Sequence, residues 1–389
     1  MTRTWRADRL SQLPPYLFAE IDRRKREALA AGRDIIDFGV GDPDLPTPLF
    51  IMDRMGQAIR DPANHRYAEG RGMKAFREAV AGFFVRRFGV NLDPATEVIP
   101  LLGSKEGIGH LGTAIVNPGD VVLVPSPGYP VYVSGTVFAG GSVYTMPLTE
   151  THDWLPRLEE IPHEVCRRAK VMWLNYPNNP TGATATLLFL EQAVAFAQRH
   201  DIFIAQDAAY SEMSFADPPP SILQVDRAKD VAIEFHSLSK TFNMTGWRVG
   251  FAVGNRDALT ALAQVKSNLD SGMFQALQQA AIAALAGVDR PEVRDLIDVY
   301  RRRRDVLVGG LREAEWPVTP PRATFYVWAK CPKGSDSMTV ATRALEEANV
   351  VVIPGAGFGP SGEGFVRFAL TVPESRTTEA VVRLQRIRW

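Results

Sequence analysis

Lys240 lies in the stretch His236-Ser-Leu-Ser-Lys-Thr-Phe-Asn-Met-Thr-Gly-Trp-Arg-Val-Gly250, with Ser237 and Ser239 just before it and Arg248 eight residues after it. Apolar runs of β character lead in (Val231-Ala-Ile-Glu-Phe235) and out (Val249-Gly-Phe-Ala-Val253), so the lysine is predicted on a loop between two buried strands. The neighbouring hydroxyls and guanidinium are good phosphate ligands. An amine that condenses with a carbonyl must be uncharged part of the time, which partial burial and nearby cationic charge favour. Together they suit a ligand that carries both a carbonyl and a phosphate. A Ser-x-x-Lys sequence by itself is equally an ordinary loop, so the meaning depends on what else the chain brings to it.

Three other stretches supply matching chemistry. Glu97-Val-Ile-Pro-Leu-Leu102 runs into Gly103, Ser104 and Lys105, where an apolar helix begins. A strand, a glycine and a helix start offer free backbone N–H groups and the positive end of a helix dipole to an anion. Asp207 closes the run Ile202-Phe-Ile-Ala-Gln206, with Tyr210 three residues on, and Asn179 sits in Asn175-Tyr-Pro-Asn-Asn-Pro-Thr-Gly182 after another strand. Pyridoxal phosphate has the aldehyde and the phosphate that the lysine loop suits. A carboxylate facing its ring nitrogen keeps that nitrogen protonated and makes the ring an electron sink. A tyrosine hydroxyl and an amide can hydrogen-bond the ring's phenolic oxygen.

The elements that must position these groups alternate. Strands are predicted at 121–124, 143–147, 170–174, 202–206, 231–235 and 249–253, with helices near 106–116, 130–138, 187–199 and 258–270. That alternation indicates an α/β layered domain with a mostly parallel sheet, whose ligands sit at the carboxyl ends of the strands. The polar segments 103–105, 175–182, 207–210 and 237–240 all fall at such ends. Upstream, an amphipathic helix is predicted from Tyr16 to Ala31, then a strand at 35–38 and the turn-rich loop Gly39-Val-Gly-Asp-Pro-Asp44. Helices follow near 49–60 and 74–88. Downstream, long helices at 274–286 and 292–313 precede strands at 323–329, 349–353 and 364–370 and a helix at 338–348.

Composition sets the outer limits. The chain has 389 residues, 46% hydrophobic and 23% charged, which is ordinary for a soluble globular protein with a large core. Its formal net charge is zero, so there is no electrostatic case for nucleic acid or an anionic membrane as partner. The basic runs Arg23-Arg-Lys-Arg26 and Arg301-Arg-Arg-Arg304 lie in helical patterns and read as solvated helix faces. Cys166 and Cys331 are far apart and lack metal spacing, so neither a disulfide framework nor a metal site is expected. No apolar signal core and no run of membrane-spanning length is visible, and a cytoplasmic location is expected.

Asn178-Asn-Pro-Thr-Gly182, Asp207-x-x-Tyr210 and Ser237-Leu-Ser-Lys-Thr-x-x-Met-x-Gly-Trp-Arg248 together resemble the fold-type I, pyridoxal-phosphate-dependent aminotransferases of class I and II, over essentially the whole chain. The resemblance implies a large domain with a mostly parallel sheet between helices plus a smaller α/β domain. The division is 1–45 as arm and part of the small domain, 46–290 as the large cofactor domain and 291–389 as the small C-terminal domain. It also implies a homodimer with shared active sites, and an amino acid and a 2-keto acid, often 2-oxoglutarate, as substrates. By the resemblance Lys240 carries the cofactor and serves as the base, Asp207 pairs with the ring nitrogen, and Asn179 and Tyr210 contact the phenolic oxygen. Tyr129 matches the aromatic that stacks on the ring. Ser104, Lys105, Ser237, Ser239 and Arg248 match the phosphate cup, and Tyr67 matches the tyrosine that reaches the neighbouring subunit's phosphate. Arg367, in Gly364-Phe-Val-Arg-Phe-Ala-Leu370, matches the clamp for the substrate α-carboxylate, which a planar guanidinium holds bidentately. Gly41, Asn179 and Tyr16 complete the substrate contacts.

Within the family, Gly103-Ser-Lys-Glu-Gly-Ile108, Pro125-Ser-Pro-Gly-Tyr-Pro-Val-Tyr132 and Lys266-Ser-Asn-Leu-Asp-Ser-Gly272 are most similar to the LL-diaminopimelate aminotransferases of lysine biosynthesis. One place departs from that pattern. The loop after Tyr67 carries Gly70 and Arg71 where an aromatic residue and an acid are usual, and an arginine there would repel a distal ammonium. Rival readings are a general aminotransferase, a C–S lyase on the same scaffold, an amino-acid-sensing regulator and a nicotinamide dehydrogenase. The last rests on Gly357-Phe-Gly-Pro-Ser-Gly362, a dinucleotide-like glycine pattern in which Pro360 intervenes and a strand follows where a helix is required.

Overall fold

Val121-Val-Leu-Val124 shows how the central layer is built. Val121 and Leu123 enter one apolar core while Val122 and Val124 enter another, as the two-residue period of a strand requires. Met172 and Leu174 alternate with Val171 and Trp173 in the same way. A strand apolar on both faces is stable only inside a sheet covered on both sides by helices, and that is the arrangement found. The computed structural model describes residues 5–13, 18–68 and 70–389.

Among the described residues the strands are β1 (Ile36–Asp37), β2 (Val98–Leu101), β3 (Val121–Ser126), β4 (Ser142–Pro147), β5 (Ala169–Asn175) and β6 (Phe203–Asp207). They continue with β7 (Ala232–Ser237), β8 (Gly250–Gly254), β9 (Tyr326–Lys330), β10 (Val350–Val351), β11 (Ile353–Pro354) and β12 (Phe365–Ala369). A seven-stranded sheet has the order β2-β8-β7-β6-β5-β3-β4. β8 runs antiparallel to both of its neighbours and the other pairings are parallel. The carboxyl ends of β2, β3, β5, β6 and β7 therefore point the same way.

The apolar layers on the two faces of this sheet together make the first core; a second core gathers residues from both ends of the chain, where Ile21, Ile36 and Phe38 pack with Trp316, Val327, Val351 and Phe368. β1 pairs in parallel with β10, Ile36 against Val350, and β11-β12-β9 form a separate antiparallel sheet. The helix Pro291–Glu313 spans the two cores, giving Val293 to the first and Tyr300, Leu307, Val308 and Leu311 to the second.

Several expectations need adjusting. The strand expected at 349–353 is two short strands in different sheets, because Val350–Val351 pairs with β1 and Ile353–Pro354 pairs with β12. The helix expected from Tyr16 is described from Phe18 to Ala30, and Tyr16 lies outside the described residues. A C-terminal helix, Glu374–Gln385, was not expected; it buries Thr377, Ala380, Val381 and Leu384. The two basic runs are not purely solvated faces. Arg303 is buried and holds Asp44 through two bonds, Nη1 to Oδ1 at 2.7 Å and Nη2 to Oδ2 at 2.8 Å. Lys25 is half-buried and faces the central cavity.

The motif residue Lys266 has a structural use. Its buried ammonium lies 3.0 Å from carboxylate oxygens of both Glu106 and Asp270, tying the helix Arg256–Leu269 to the helix Ser104–Ile115. Glu106 also meets His110 Nδ1 at 2.7 Å, and the lysine supplies the positive charge within this cluster.

Candidate active site

A cavity of about 790 Å³ opens between the carboxyl ends of the large sheet and the second core. Every site residue expected from sequence lines it except two. Tyr67 stands out in solvent, 89% exposed, and Tyr16 lies outside the described residues.

One end of the cavity is cationic. β2 stops at Gly103, whose φ of +78° and crowded surroundings exclude a side chain, since a Cβ there would collide with the Arg248 guanidinium. Arg248 itself sits at φ +57° and donates to the Thr245 carbonyl at 2.8 Å. Its guanidinium is thereby held against the start of the helix Ser104–Ile115, beside Lys105. Two like charges, the cation and the positive helix end, repel unless an anion lies between them. Ser237, closing β7, accepts the Ser239 amide at 3.3 Å and so starts the helical turn Leu238–Thr241 that carries Lys240. The residues at this end fit a phosphate.

Lys240 projects from that turn into the cavity. Its Nζ is 3.4 Å from the Gly41 carbonyl and 5.6 Å from the centroid of the Phe325 ring. Gly41 must be glycine, because a Cβ would strike the Tyr326 hydroxyl.

Opposite the cationic end, Asp207 closes β6 and is 5% exposed. Oδ2 accepts the Tyr132 hydroxyl at 2.7 Å, Oδ1 accepts the Ala209 amide at 3.1 Å, and Asn175 Nδ2 ties the Asp207 carbonyl at 2.8 Å. Burial raises the carboxyl above its ordinary value. The Tyr132 and Ala209 hydrogen bonds and the charges of His236 and Lys240 oppose this without cancelling it. A buried acid left in that state suits an incoming cation such as a protonated ring nitrogen. Tyr132 is fixed in turn by stacking on Trp173, 4.7 Å between centroids at 16°. Tyr129 lines the cavity beside it, edge-on to Tyr132 at 5.8 Å.

The far wall comes from the second core. Arg367, in the middle strand β12, is 8% exposed and has no carboxylate partner among the described residues. Nη1 donates to Asn179 Oδ1 and Nη2 to the Gly39 carbonyl, each at 3.0 Å, while Nε has no partner. The guanidinium lies 4.2 Å from the Tyr326 ring centroid and 4.8 Å from that of Phe358. An unpaired buried cation is costly, and a carboxylate ligand would relieve it. Tyr210 donates its hydroxyl to Tyr326 at 3.2 Å, and burial pushes the Tyr210 phenol well up.

Four contributors escaped the sequence reading: Tyr132, Tyr326, Asn175 and Lys25. Tyr132 follows Tyr129 by three residues on the helix Val131–Phe138, a spacing that was visible but had no chemistry attached to it. Tyr326 looked like any strand aromatic. Asn175, whose Oδ1 accepts the Asn179 amide at 2.9 Å, was visible at the end of a strand. Arg71, expected to face the substrate, turns instead onto Ala95 and Thr260 of its own chain. Nη1 bonds the Ala95 carbonyl at 2.9 Å and Nη2 bonds Thr260 Oγ1 at 3.0 Å. The glycine-rich segment 355–362 forms two short 3-10 turns rather than a helix, so no helix N-terminus faces it.

Known proteins bear on this site along almost the whole chain. The family model described as aminotransferase class I and II matches residues 33–384. The chain is 55% identical over 383 residues to LL-diaminopimelate aminotransferase of Nitratidesulfovibrio vulgaris, covering 98% of each protein. It is 53% identical over 381 residues to LL-diaminopimelate aminotransferase 2 of Trichormus variabilis, covering 97% of each. Among solved structures, substrate-bound BacF of Bacillus subtilis superposes with a TM-score of 0.95 at 39% identity, over 100% of this chain and 99% of that one. With a lysine and a strand-end carboxylate facing one cavity and a family match from residue 33 to residue 384, the chain belongs to the class I and II aminotransferases.

Proposed function

We propose that this aminotransferase is pyridoxal-phosphate-dependent and moves an amino group between LL-diaminopimelate and a 2-keto acid, with 2-oxoglutarate and glutamate as the other pair. The observation that carries the substrate is identity of 53–55% over the full length to proteins of that name. Arg71 is anchored to Ala95 and Thr260, which supports a substrate with a distal ammonium that this side chain does not meet.

The residues at the cavity fit the cofactor. Ser104, Lys105, Ser237, Ser239 and Arg248 would hold its phosphate, Tyr129 would cover its ring, Asp207 would meet its ring nitrogen, and Asn179 and Tyr210 its phenolic oxygen. Pyridoxal phosphate, when bound, supplies an electron-withdrawing ring that lets the Cα–H bond of a joined amino acid ionise. The chain does the rest. Arg367 grips the α-carboxylate and fixes the Cα–H bond in one direction. Lys240 Nζ would be the group that takes up and returns the Cα proton. Asp207 would face the ring nitrogen, its oxygens kept aimed by Tyr132 and the Ala209 amide.

Residues 46–290 would then act as the cofactor domain, with 291–389 and 1–45 as the smaller one. The 89% exposure of Tyr67 supports a homodimer in which this residue reaches the second subunit. A cytoplasmic location fits two cysteines that are free and buried.

The half-reaction tests the substrate. The enzyme loaded with cofactor is mixed with single amino acids and no acceptor, and loss of the cofactor's absorbance is followed. LL-diaminopimelate should react far faster than aspartate, alanine, methionine or an aromatic. If one of those wins, the chain is a general aminotransferase. Pyruvate and ammonia released from a cysteine conjugate without any keto acid would make it a C–S lyase.

A further inference from the structure

The geometry points to a reader for the far end of the substrate on the first helix, formed by Asp22 and Lys25. This rests on the substrate reading above. Both residues belong to the helix Phe18–Ala30, are three positions apart and so share a face, and line the same cavity as Lys240 and Arg367. Lys25 forms an ion pair with Asp37 Oδ2, and Asp37 Oδ1 accepts the Gly39 amide at 2.7 Å. The Gly39 carbonyl in turn accepts Arg367 Nη2 at 3.0 Å. The helix charges are thus tied to the α-carboxylate clamp through a three-residue stretch of backbone.

Both oxygens of Asp37 are engaged in these contacts. Lys25 uses one of its three donors on Asp37. Asp22 has neither a hydrogen bond nor an ion pair among the described residues. What faces the cavity is therefore an ammonium with donors left over from its pair with Asp37, beside a carboxylate that has no partner among the described residues. Val40, Val351 and Ile353 line the cavity as well, an apolar surface without a charge of its own. LL-diaminopimelate has the complementary layout: one amino-acid end, a run of methylenes, and a second end bearing both a carboxylate and an ammonium. Lys25 would take the far carboxylate, Asp22 the far ammonium, and the valines and isoleucine the methylenes. A monofunctional amino acid would leave Asp22 without a partner and the remaining donors of Lys25 unused, which is the basis of discrimination.

The experiment uses the cofactor-loaded enzyme in single-turnover half-reactions. Its three probes are LL-diaminopimelate, L-2-aminopimelate (the same chain without the far ammonium) and L-alanine. Asp22→Asn should weaken LL-diaminopimelate roughly tenfold or more and leave the other two within about twofold. Lys25→Met should weaken both long substrates roughly tenfold and leave alanine within about twofold. An unchanged cofactor spectrum in both variants shows that the fold is kept. Loss of alanine binding in Lys25→Met would mean that Lys25 only braces the clamp through Asp37, and an unaffected LL-diaminopimelate reaction in Asp22→Asn would remove Asp22 from the site. Either result overturns the assignment while wild-type turnover of LL-diaminopimelate leaves the substrate reading standing. A wild-type enzyme that ignores LL-diaminopimelate brings down both.

Discussion

The two walls of the cavity are built in different ways. On the large-sheet side, each group stands just past a strand end: Ser104 after β2, Asn179 after β5, Asp207 at the close of β6, Lys240 after β7. Parallel strands all end on one face, so a single topological fact gathers these groups, and each arrives with its own short motif. On the opposite wall, Arg367 comes from the middle of β12, Tyr326 from the start of β9, Gly39 and Gly41 from the loop after β1, and Lys25 from a helix before it. The pairing of β12 with β9 brings Arg367 and Tyr326 together, and the pairing of the chain's two ends, Ile36 against Val350, adds Gly39, Gly41 and Lys25 to them. The first wall holds groups for chemistry common to the family. The second chooses what is presented to that chemistry.

The comparison can be broken by mutation. Lys240→Ala should lower transamination about ten-thousand-fold or more, because it removes the group that moves the proton. The phosphate end is untouched, so cofactor should still bind, now without its covalent link; normal turnover in this variant would remove Lys240 from the mechanism. Arg367→Ala, on the opposite wall, should leave the cofactor spectrum as it is. It should raise KM roughly 100-fold for every α-amino acid, whatever its side chain, since it leaves a substrate carboxylate without its buried partner. A loss confined to one class of side chain would show that Arg367 reads specificity rather than the α-carboxylate.

The smallest effect is on stability. Burial raises the Asp207 carboxyl above its ordinary value of 3.8 in the cofactor-free protein, so folding favours its protonated form relative to the unfolded chain. The stability this group contributes is present below that value and lost as pH rises through the raised one. Cofactor-free Asp207→Asn, which does not ionise, should therefore melt higher than wild type at neutral pH. The gap should close as pH falls toward 4, and saturating cofactor should reverse the order. Equal melting curves across that range would mean that the fold does not raise the Asp207 carboxyl.

The same division explains what could be read in advance. Lys240, Asp207, Asn179 and Ser104 were legible because a local motif and a strand end coincide at each of them. Lys25 was read as one basic residue in a solvated run, since nothing in Arg23-Arg-Lys-Arg26 marks which member turns inward. Arg303 was misread for the same reason, and its buried bond to Asp44 bridges positions far apart in sequence. Arg71 was expected to face the substrate because its place in the loop was known, whereas its partners Ala95 and Thr260 were not. The split of 349–353 into two strands depended on two separate pairing partners, neither of them local.

By itself the sequence determined the alternating α/β layers, the family, the lysine and the groups that would surround a bound phosphate and ring. Each of these depends on spacing within a few residues, on a strand's two-residue period or on a helix start. Tertiary structure alone decided that Tyr132 holds Asp207, that Tyr326 lies against Arg367 and that Lys25 faces the cavity while Arg71 turns away. Those contacts join segments with no common motif, so they come into being only when the two cores pack and the chain's ends pair.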